Sequence, residues 1–313
     1  MAIDKADYLE EVLKSHKMHH ISNLVDIYKD RRNEIKSYLK SEFSGKIYEP
    51  FDSGSYKKHT AMNAKFDLDL IAPFTYGGFS TLEEMYLKVY EKLEEEFGER
   101  TTVRQQGVSI GLTFEEDDPI NIDVVPARET SKDNYLNEKS LNLHKQDGSG
   151  YLKTNIHSQI DHISGRTQER RIIRLLKIWK FYGNNPSNKK FKSFFFELLV
   201  IKAFGSKSIS GNLWEQLKAV LEYVIENVTN DSFKLIDPGN SNNNLMDSLE
   251  LWDKSNLANA FQNILNRVDD NSNNLELYFP KNEKFADEQD TKGYGLKSSG
   301  LLISTPSTPQ RFG

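Results

Sequence analysis

The residues best suited to chemistry are two aspartates inside an apolar run, FDLDL at residues 66–70. Because side chains alternate along a β-strand, Asp67 and Asp69 are expected on one face, with the apolar residues on the other. Two neighbouring carboxylates on such a strand repel each other and favour a bound cation. Asp123 has the same setting in INIDV, residues 120–124. Three carboxylates would therefore meet if these two strands are neighbours.

Carboxylate oxygens on adjacent strands suit Mg²⁺, which keeps several water ligands and takes others from phosphates. Two such ions can activate an attacking hydroxyl and stabilise a leaving pyrophosphate. Asp67 and Asp69 are predicted to hold both ions, and Asp123 only the ion at the attacking hydroxyl, with Mn²⁺ as an alternative metal. The competing interpretation is that Asp-x-Asp lies in a surface turn, against which the apolar surroundings argue.

A glycine and a serine, Gly54 and Ser55, precede Asp67 by about a dozen residues. Glycine lets the backbone approach a phosphate, and amides at a helix start together with the serine hydroxyl can cradle it. The same dipeptide recurs at residues 148–149 and 205–206. The position before the carboxylate strand, rather than the dipeptide itself, therefore predicts a phosphate site.

The elements that must position these residues follow from periodicity. The first part of the chain predicts an α/β unit with a mixed sheet. Its helices are predicted at 4–43, 60–64 and 82–97, the last capped by Thr81, and its strands at 46–52, 65–74, 101–114 and 119–125.

The second part of the chain predicts a mainly helical lobe. The predicted helices are 167–183, 191–204, 211–228 and 247–267, interrupted by a loop at 237–244 (DPGNSNNN). Asp147-Gly148 is a hairpin signal in the polar stretch before this lobe. The predicted organisation is a lobe over 1–160, a helical lobe over 161–284, and a flexible tail over 285–313. The active-site cleft is expected between the lobes.

In combination these motifs resemble the polymerase-β nucleotidyltransferase superfamily. The match is GSYKKHTAMNAKFDLDLIAPF at 54–74 followed by INIDVVPAR at 120–128. LLKIW at 175–179 and SFFFELL at 193–199 are similar to helices of oligoadenylate synthases and cyclic GMP-AMP synthase. The resemblance, over about residues 5–270, is to the bacterial cGAS/DncV-like nucleotidyltransferases (CD-NTases). These enzymes make cyclic di- or trinucleotides as antiphage defence signals.

The resemblance implies further nucleotide-binding residues. Lys177 and Ser193 would contact the triphosphate, and Phe194 would stack on a base or belong to the core. Arg128 would reach a phosphate or base, or be a surface arginine. Independently, Arg170, Arg174 and Lys177 recur at helical spacing and form a basic face that suits a triphosphate, unless it is simply a solvated surface.

The predicted function is template-independent synthesis of a purine-containing cyclic dinucleotide second messenger from two nucleoside triphosphates, with release of pyrophosphate. The expected substrates are ATP and GTP, with UTP as an alternative. One alternative is a nucleotidyltransferase that modifies RNA, tRNA or a protein, and another is an inactive nucleotide-binding scaffold. A downstream effector is expected to bind the product rather than this chain. The terminal Gly313 suits C-terminal conjugation, or is simply a chain end.

Composition limits the other partners. The net charge of −5 gives no general attraction to nucleic acid, so no stable nucleic-acid partner is expected. The absence of cysteine excludes disulfides and thiolate metal sites and is compatible with the cytoplasm. The charged N-terminus lacks the apolar segment of a signal peptide, and no run approaches a membrane span.

Overall fold

The computed structural model describes residues 2–116, 118–183 and 190–286. The chain divides into two compact units. A sheet unit contains Ile21–Ala61 and Lys65–Asp161, and a helical unit contains the described residues of 2–20, 62–64 and those from His162 onward. The predicted tail over 285–313 lies outside the described residues apart from its first two positions. The terminal Gly313 is therefore also outside them.

The sheet unit is built on a seven-stranded mixed sheet with the order β1-β2-β5-β4-β3, extended by β6 and β7 beside β5. The strand pair β2 and β5 is parallel, and the other pairs are antiparallel. The strands are β1 Phe51–Ser53, β2 Leu68–Phe74, β3 Thr101–Gln105, β4 Ile110–Phe114, β5 Ile120–Glu129, β6 Leu141–His144 and β7 Tyr151–Thr154. The helices of this unit are α2 Ser22–Glu42, α3 Gly54–Lys57, α4 Leu82–Phe97, α5 Tyr135–Glu138 and most of α6 Ile156–Ser164.

The helical unit combines the N-terminal helix with the C-terminal helices around one apolar core. Its helices are α1 Lys5–Ser15, α7 Thr167–Tyr182, α8 Ser193–Ser206, α9 Leu213–Asn227, α10 Leu251–Asp270 and α11 Leu275–Tyr278. It also carries a small hairpin, β8 Ile236–Asp237 and β9 Asn240–Asn244. Within residues 2–116, 118–183 and 190–286, no helix is long and apolar enough to cross a membrane.

Helices α2 and α4 cover one face of the sheet. Leu68 and Leu70 of β2 and Ile122 of β5 pack in the same cluster as the apolar faces of these helices. Ile71 and Val125, which alternate with them, belong to a separate cluster on the other face. This arrangement confirms the predicted mixed sheet and the alternation of the carboxylate strands.

Several predicted elements are confirmed and others are wrong. Helix α4 has the predicted limits, and Oγ1 of Thr81 accepts a hydrogen bond from the N–H of Glu84 at 3.0 Å. The helix predicted at 60–64 is wrong, since a single helical turn lies earlier, at Gly54–Lys57. The strand predicted at 101–114 is two strands joined by a turn, and the loop predicted at 237–244 forms most of the β8–β9 hairpin.

Candidate active site

Asp69 and Asp123 lie directly opposite each other on the parallel strands β2 and β5. Neighbouring strands are about 4.8 Å apart, so in-register side chains on the same face lie side by side. By alternation both carboxylates occupy the face away from α2 and α4. Asp69 is buried, with 8% of the residue exposed. The structure therefore brings together two of the three predicted carboxylates from segments more than fifty residues apart.

Asp67 precedes β2 and is half-buried. Its charge acts on Asp123. Burial, followed by the negative charge of Asp67, raises the pKa of the Asp123 carboxyl to about 7. A hydrogen bond from Gln106 and the positive charges of Arg104 and Lys65 oppose this rise. The ionised form of Asp123 is thus disfavoured in the absence of a cation, as expected where carboxylates gather.

Gly54 is the first residue of the short helix α3 and lies against Asp69. Its φ is +67°, a conformation that favours glycine. A Cβ atom at this position would lie 1.5 Å from Oδ2 of Asp69, so no other residue fits without moving the carboxylate. Ser55 follows in the same helical turn, and its carbonyl accepts a hydrogen bond from the N–H of Thr60 at 2.9 Å. The predicted Gly-Ser turn therefore borders the carboxylates.

The carboxylates have the donor chemistry that Mg²⁺ requires: hard oxygens, two of them adjacent, with burial that penalises their charge. Among the described residues, however, no three His, Cys, Asp or Glu side chains are already arranged to hold a metal ion. The residues fit a divalent cation by type and position, and binding would require the side chains to adjust.

Two further residues contact the predicted site residues and were not found from the sequence. Gln106, in the turn between β3 and β4, donates from Nε2 to Oδ1 of Asp123 at 3.1 Å. Glu197 pairs with Lys177 in the helical unit. Gln106 lies outside every motif, and Glu197 lies within SFFFELL but was given no role there, because each contact depends on how distant elements pack.

Lys177 is a buried residue of α7. Its Nζ lies 2.6 Å from Oε1 of Glu197 on α8, and both side chains are almost fully buried. Ser193 is the first residue of α8, one helical turn before Glu197, so these two share a face of that helix. Phe194 is partly buried and packs against the helical core. These predicted residues belong to the helical unit, whereas the carboxylates belong to the sheet unit.

Of the predicted basic face on α7, Arg174 lines a pocket of about 310 Å³ in the helical unit, whereas Arg170 and Lys177 do not. Burial lowers the pKa of Arg174, and the charges of Arg170 and Arg171 lower it further. The buried Nε of Arg174 has no hydrogen-bond partner among the described residues. Arg171 is paired with Glu10, another residue of the pocket lining.

Arg128 is not brought to the carboxylates by β5. It lies five residues after Asp123, and alternation places it on the opposite face of the strand. Nη1 donates to the carbonyl of Phe79 at 3.0 Å, and the guanidinium lies 5.2 Å from the ring centre of Tyr76. In this structure Arg128 ties β5 to the segment that follows β2.

One curated relative matches over most of its length. It is the cyclic AMP-AMP-AMP synthase of Escherichia coli (strain MS 115-1), 24% identical over 240 residues that cover 73% of each chain. No protein-family profile matches the chain.

Solved structures show the same fold. The E. coli MS115-1 CdnC structure with ATP has a TM-score of 0.68 at 18% identity, covering 83% of this chain and 93% of that one. The Bradyrhizobium diazoefficiens CD-NTase CdnG with GTP also has a TM-score of 0.68, at 13% identity, covering 89% and 95%. The chain is therefore similar in sequence to a bacterial cyclic AMP-AMP-AMP synthase and similar in fold to bacterial CD-NTases.

Proposed function

We propose that the chain joins nucleoside triphosphates into a cyclic oligonucleotide, with purine nucleotides as substrates and a cyclic dinucleotide as product. The observation that carries this proposal is the in-register pair Asp69 and Asp123, with Asp67 before it and Gly54 against it. The E. coli relative is a cyclic AMP-AMP-AMP synthase, which makes a trinucleotide ring the competing product. By analogy with the resemblance, the product would be a signal in antiphage defence.

In the proposed reaction, a 2′ or 3′ hydroxyl oxygen of one nucleotide attacks the α-phosphorus of a second triphosphate. A new P–O bond forms, the bond from the α-phosphorus to the bridging oxygen breaks, and pyrophosphate leaves. The hydroxyl proton is released to solvent. A second attack within the linear product closes the ring and releases another pyrophosphate.

The residues of the sheet unit take the following roles. Asp67 and Asp69 would hold both Mg²⁺ ions, and Asp123 only the ion at the attacking hydroxyl. When bound, the ions lower the pKa of that hydroxyl and neutralise the leaving group. The backbone amides at Gly54 and Ser55 and the Ser55 hydroxyl would cradle a phosphate. The missing side chain of Gly54 makes room for the Asp69 carboxylate beside them.

In the helical unit, Lys177 and Ser193 would contact the triphosphate and Phe194 a base. The support is chemical: an ammonium and a hydroxyl flank one face of α8, and an aromatic ring follows at its first turn. Lys177→Met should therefore raise the KM for the triphosphate more than it lowers kcat.

The test is incubation of the protein with each labelled triphosphate, singly and in pairs, with Mg²⁺, followed by phosphatase treatment and chromatography. Phosphatase-resistant small molecules support the proposal, and their mass distinguishes a dinucleotide from a trinucleotide ring. Asp67→Asn and Asp69→Asn should be inactive, whereas Asp30→Asn, an exposed carboxylate on α2, is the matched control. Label transferred only to added RNA or protein would refute ring synthesis.

A further inference from the structure

The side chain of Gln106 reaches Asp123 from the turn between β3 and β4. Its Nε2 donates to Oδ1 of Asp123 at 3.1 Å. Among the described residues, Oδ2 of Asp123 accepts no hydrogen bond. One oxygen of this carboxylate is therefore held by the protein, and the other remains available to a ligand.

The orientation of the Gln106 amide is itself fixed. Oγ of the buried Ser109 donates to Oε1 of Gln106 at 3.1 Å, which directs Nε2 toward Asp123. The turn is held by Tyr86 of α4, whose hydroxyl accepts from the N–H of Gln106 at 3.0 Å and donates to the carbonyl of Ser109 at 2.7 Å. Tyr86 is fully buried, so the core of the sheet unit sets the position of this amide.

A glycine makes room for the contact. Gly111 of β4 lies directly opposite Asp123. A Cβ atom at Gly111 would lie 2.2 Å from Nε2 of Gln106 and 3.2 Å from Oδ1 of Asp123. The Gln106 amide occupies the space that a side chain at this position would fill, so the glycine and the glutamine form one arrangement.

We propose that Gln106 is a positioning residue for the metal site: it holds Oδ1 of Asp123 so that Oδ2 faces the divalent cation. This inference rests on the proposed function, which assigns Asp123 to a metal ion. Partners that orient a metal-binding carboxylate typically contribute about 10- to 100-fold to metal affinity. Gln106 does not contact substrate in this role and acts only through Asp123.

The first test compares Mn²⁺ binding by the full-length wild type, Gln106→Met and Asp123→Asn, from the electron paramagnetic resonance signal of free Mn²⁺. Methionine has nearly the size of glutamine but no donor, so Gln106→Met should weaken Mn²⁺ binding about 10- to 100-fold. Gln105→Met, an exposed neighbour on β3, is the matched control and should bind as the wild type does. Gly111→Ala should weaken binding although Gln106 is intact.

Thermal unfolding identifies any variant that does not fold, and Ser109→Ala then replaces it, because it frees the amide without altering Gln106. In the synthesis assay, the Mg²⁺ concentration that gives half-maximal pyrophosphate release should rise by a similar factor, which a purely structural role would not cause. Wild-type Mn²⁺ affinity in folded Gln106→Met, or a wild type whose Mn²⁺ binding does not depend on Asp123, would overturn the inference. Absence of any nucleotide product would refute the proposed function alone, since the Mn²⁺ comparison needs no turnover.

Discussion

Replacing Asp123 with asparagine should stabilise the metal-free protein at neutral and alkaline pH. Burial, followed by the charge of Asp67, raises the pKa of Asp123 from 3.8 to about 7. The folded state therefore holds the proton more tightly than the unfolded state, and ionisation destabilises the fold. This penalty is absent below pH 3.8, grows as the pH rises, and is complete above about pH 7. Asparagine has no charge to desolvate and still offers an Oδ1 acceptor to Gln106.

The size of the effect follows from the pKa. Each tenfold change in an ionisation constant corresponds to about 1.4 kcal/mol, so a pKa near 7 in place of 3.8 corresponds to roughly 4 kcal/mol. Asp123→Asn should therefore gain up to about 4 kcal/mol at pH 8 and almost nothing at pH 4. A divalent cation should reverse the order at pH 8, because it stabilises the ionised wild type and not the variant.

The assay is unfolding by urea and by heat in EDTA, at several values between pH 4 and pH 8, followed by far-UV circular dichroism and calorimetry. Tryptophan fluorescence is unsuitable, because all three tryptophans, at positions 179, 214 and 252, lie in the helical unit. Asp30→Asn is the control for a general change in charge. An equal stability difference at pH 4 and pH 8, or a destabilised variant at pH 8, would show that folding does not raise the pKa of Asp123.

Three further substitutions test other parts of the structure. Gly54→Ala should abolish pyrophosphate release and lower Tm, whereas Gly45→Ala, also at positive φ but with open space around its Cβ, should only lose about 1–2 kcal/mol of backbone stability. Glu197→Gln should cost about 3–5 kcal/mol in urea unfolding followed by tryptophan fluorescence, because it leaves the buried ammonium of Lys177 without its carboxylate. The double variant Lys177→Met/Glu197→Leu should recover most of that loss. Glu129→Gln should cost about 3 kcal/mol at pH 7 by calorimetry, and less as the pH falls, because a buried carboxylate with a lowered pKa accepts several hydrogen bonds there.

Local sequence signals predicted the elements whose ends they mark. Thr81 and the apolar periodicity after it fix helix α4, and Asp147-Gly148 marks the turn between β6 and β7, with Gly148 at a φ of +74°. The alternation around Asp69 and Asp123 correctly indicated strands with one apolar face. These features depend on a few adjacent residues, so one sequence is sufficient to predict them.

Features set by distant contacts were missed. The turn at Gln106 interrupts a run that reads as one strand, and it is held by Tyr86 about twenty residues earlier. The Asn-rich segment at 237–244 has a loop composition, yet Asn243 donates to Oδ2 of Asp237 across the hairpin at 3.2 Å. The partner of Lys177 lies on the next helix. Composition and periodicity carry no information about such pairings.

The carboxylates occupy one row across the sheet, and the residue next to them on either side of the row is small. Ser53 lies opposite Asp69, Asp69 opposite Asp123, and Asp123 opposite Gly111. At Gly54 and Gly111 alike, an added Cβ would come within 3.2 Å or less of a carboxylate oxygen. The absence of a side chain at Gly54, beside the row, and at Gly111, within it, therefore gives the carboxylates space. The approach of a phosphate is not the only reason for a glycine there. A glycine next to an acidic strand thus indicates a packed carboxylate as well as a ligand site. The Gly-Ser pair at Gly54 is informative for this reason, whereas the pairs at 148–149 and 205–206 do not precede a carboxylate strand.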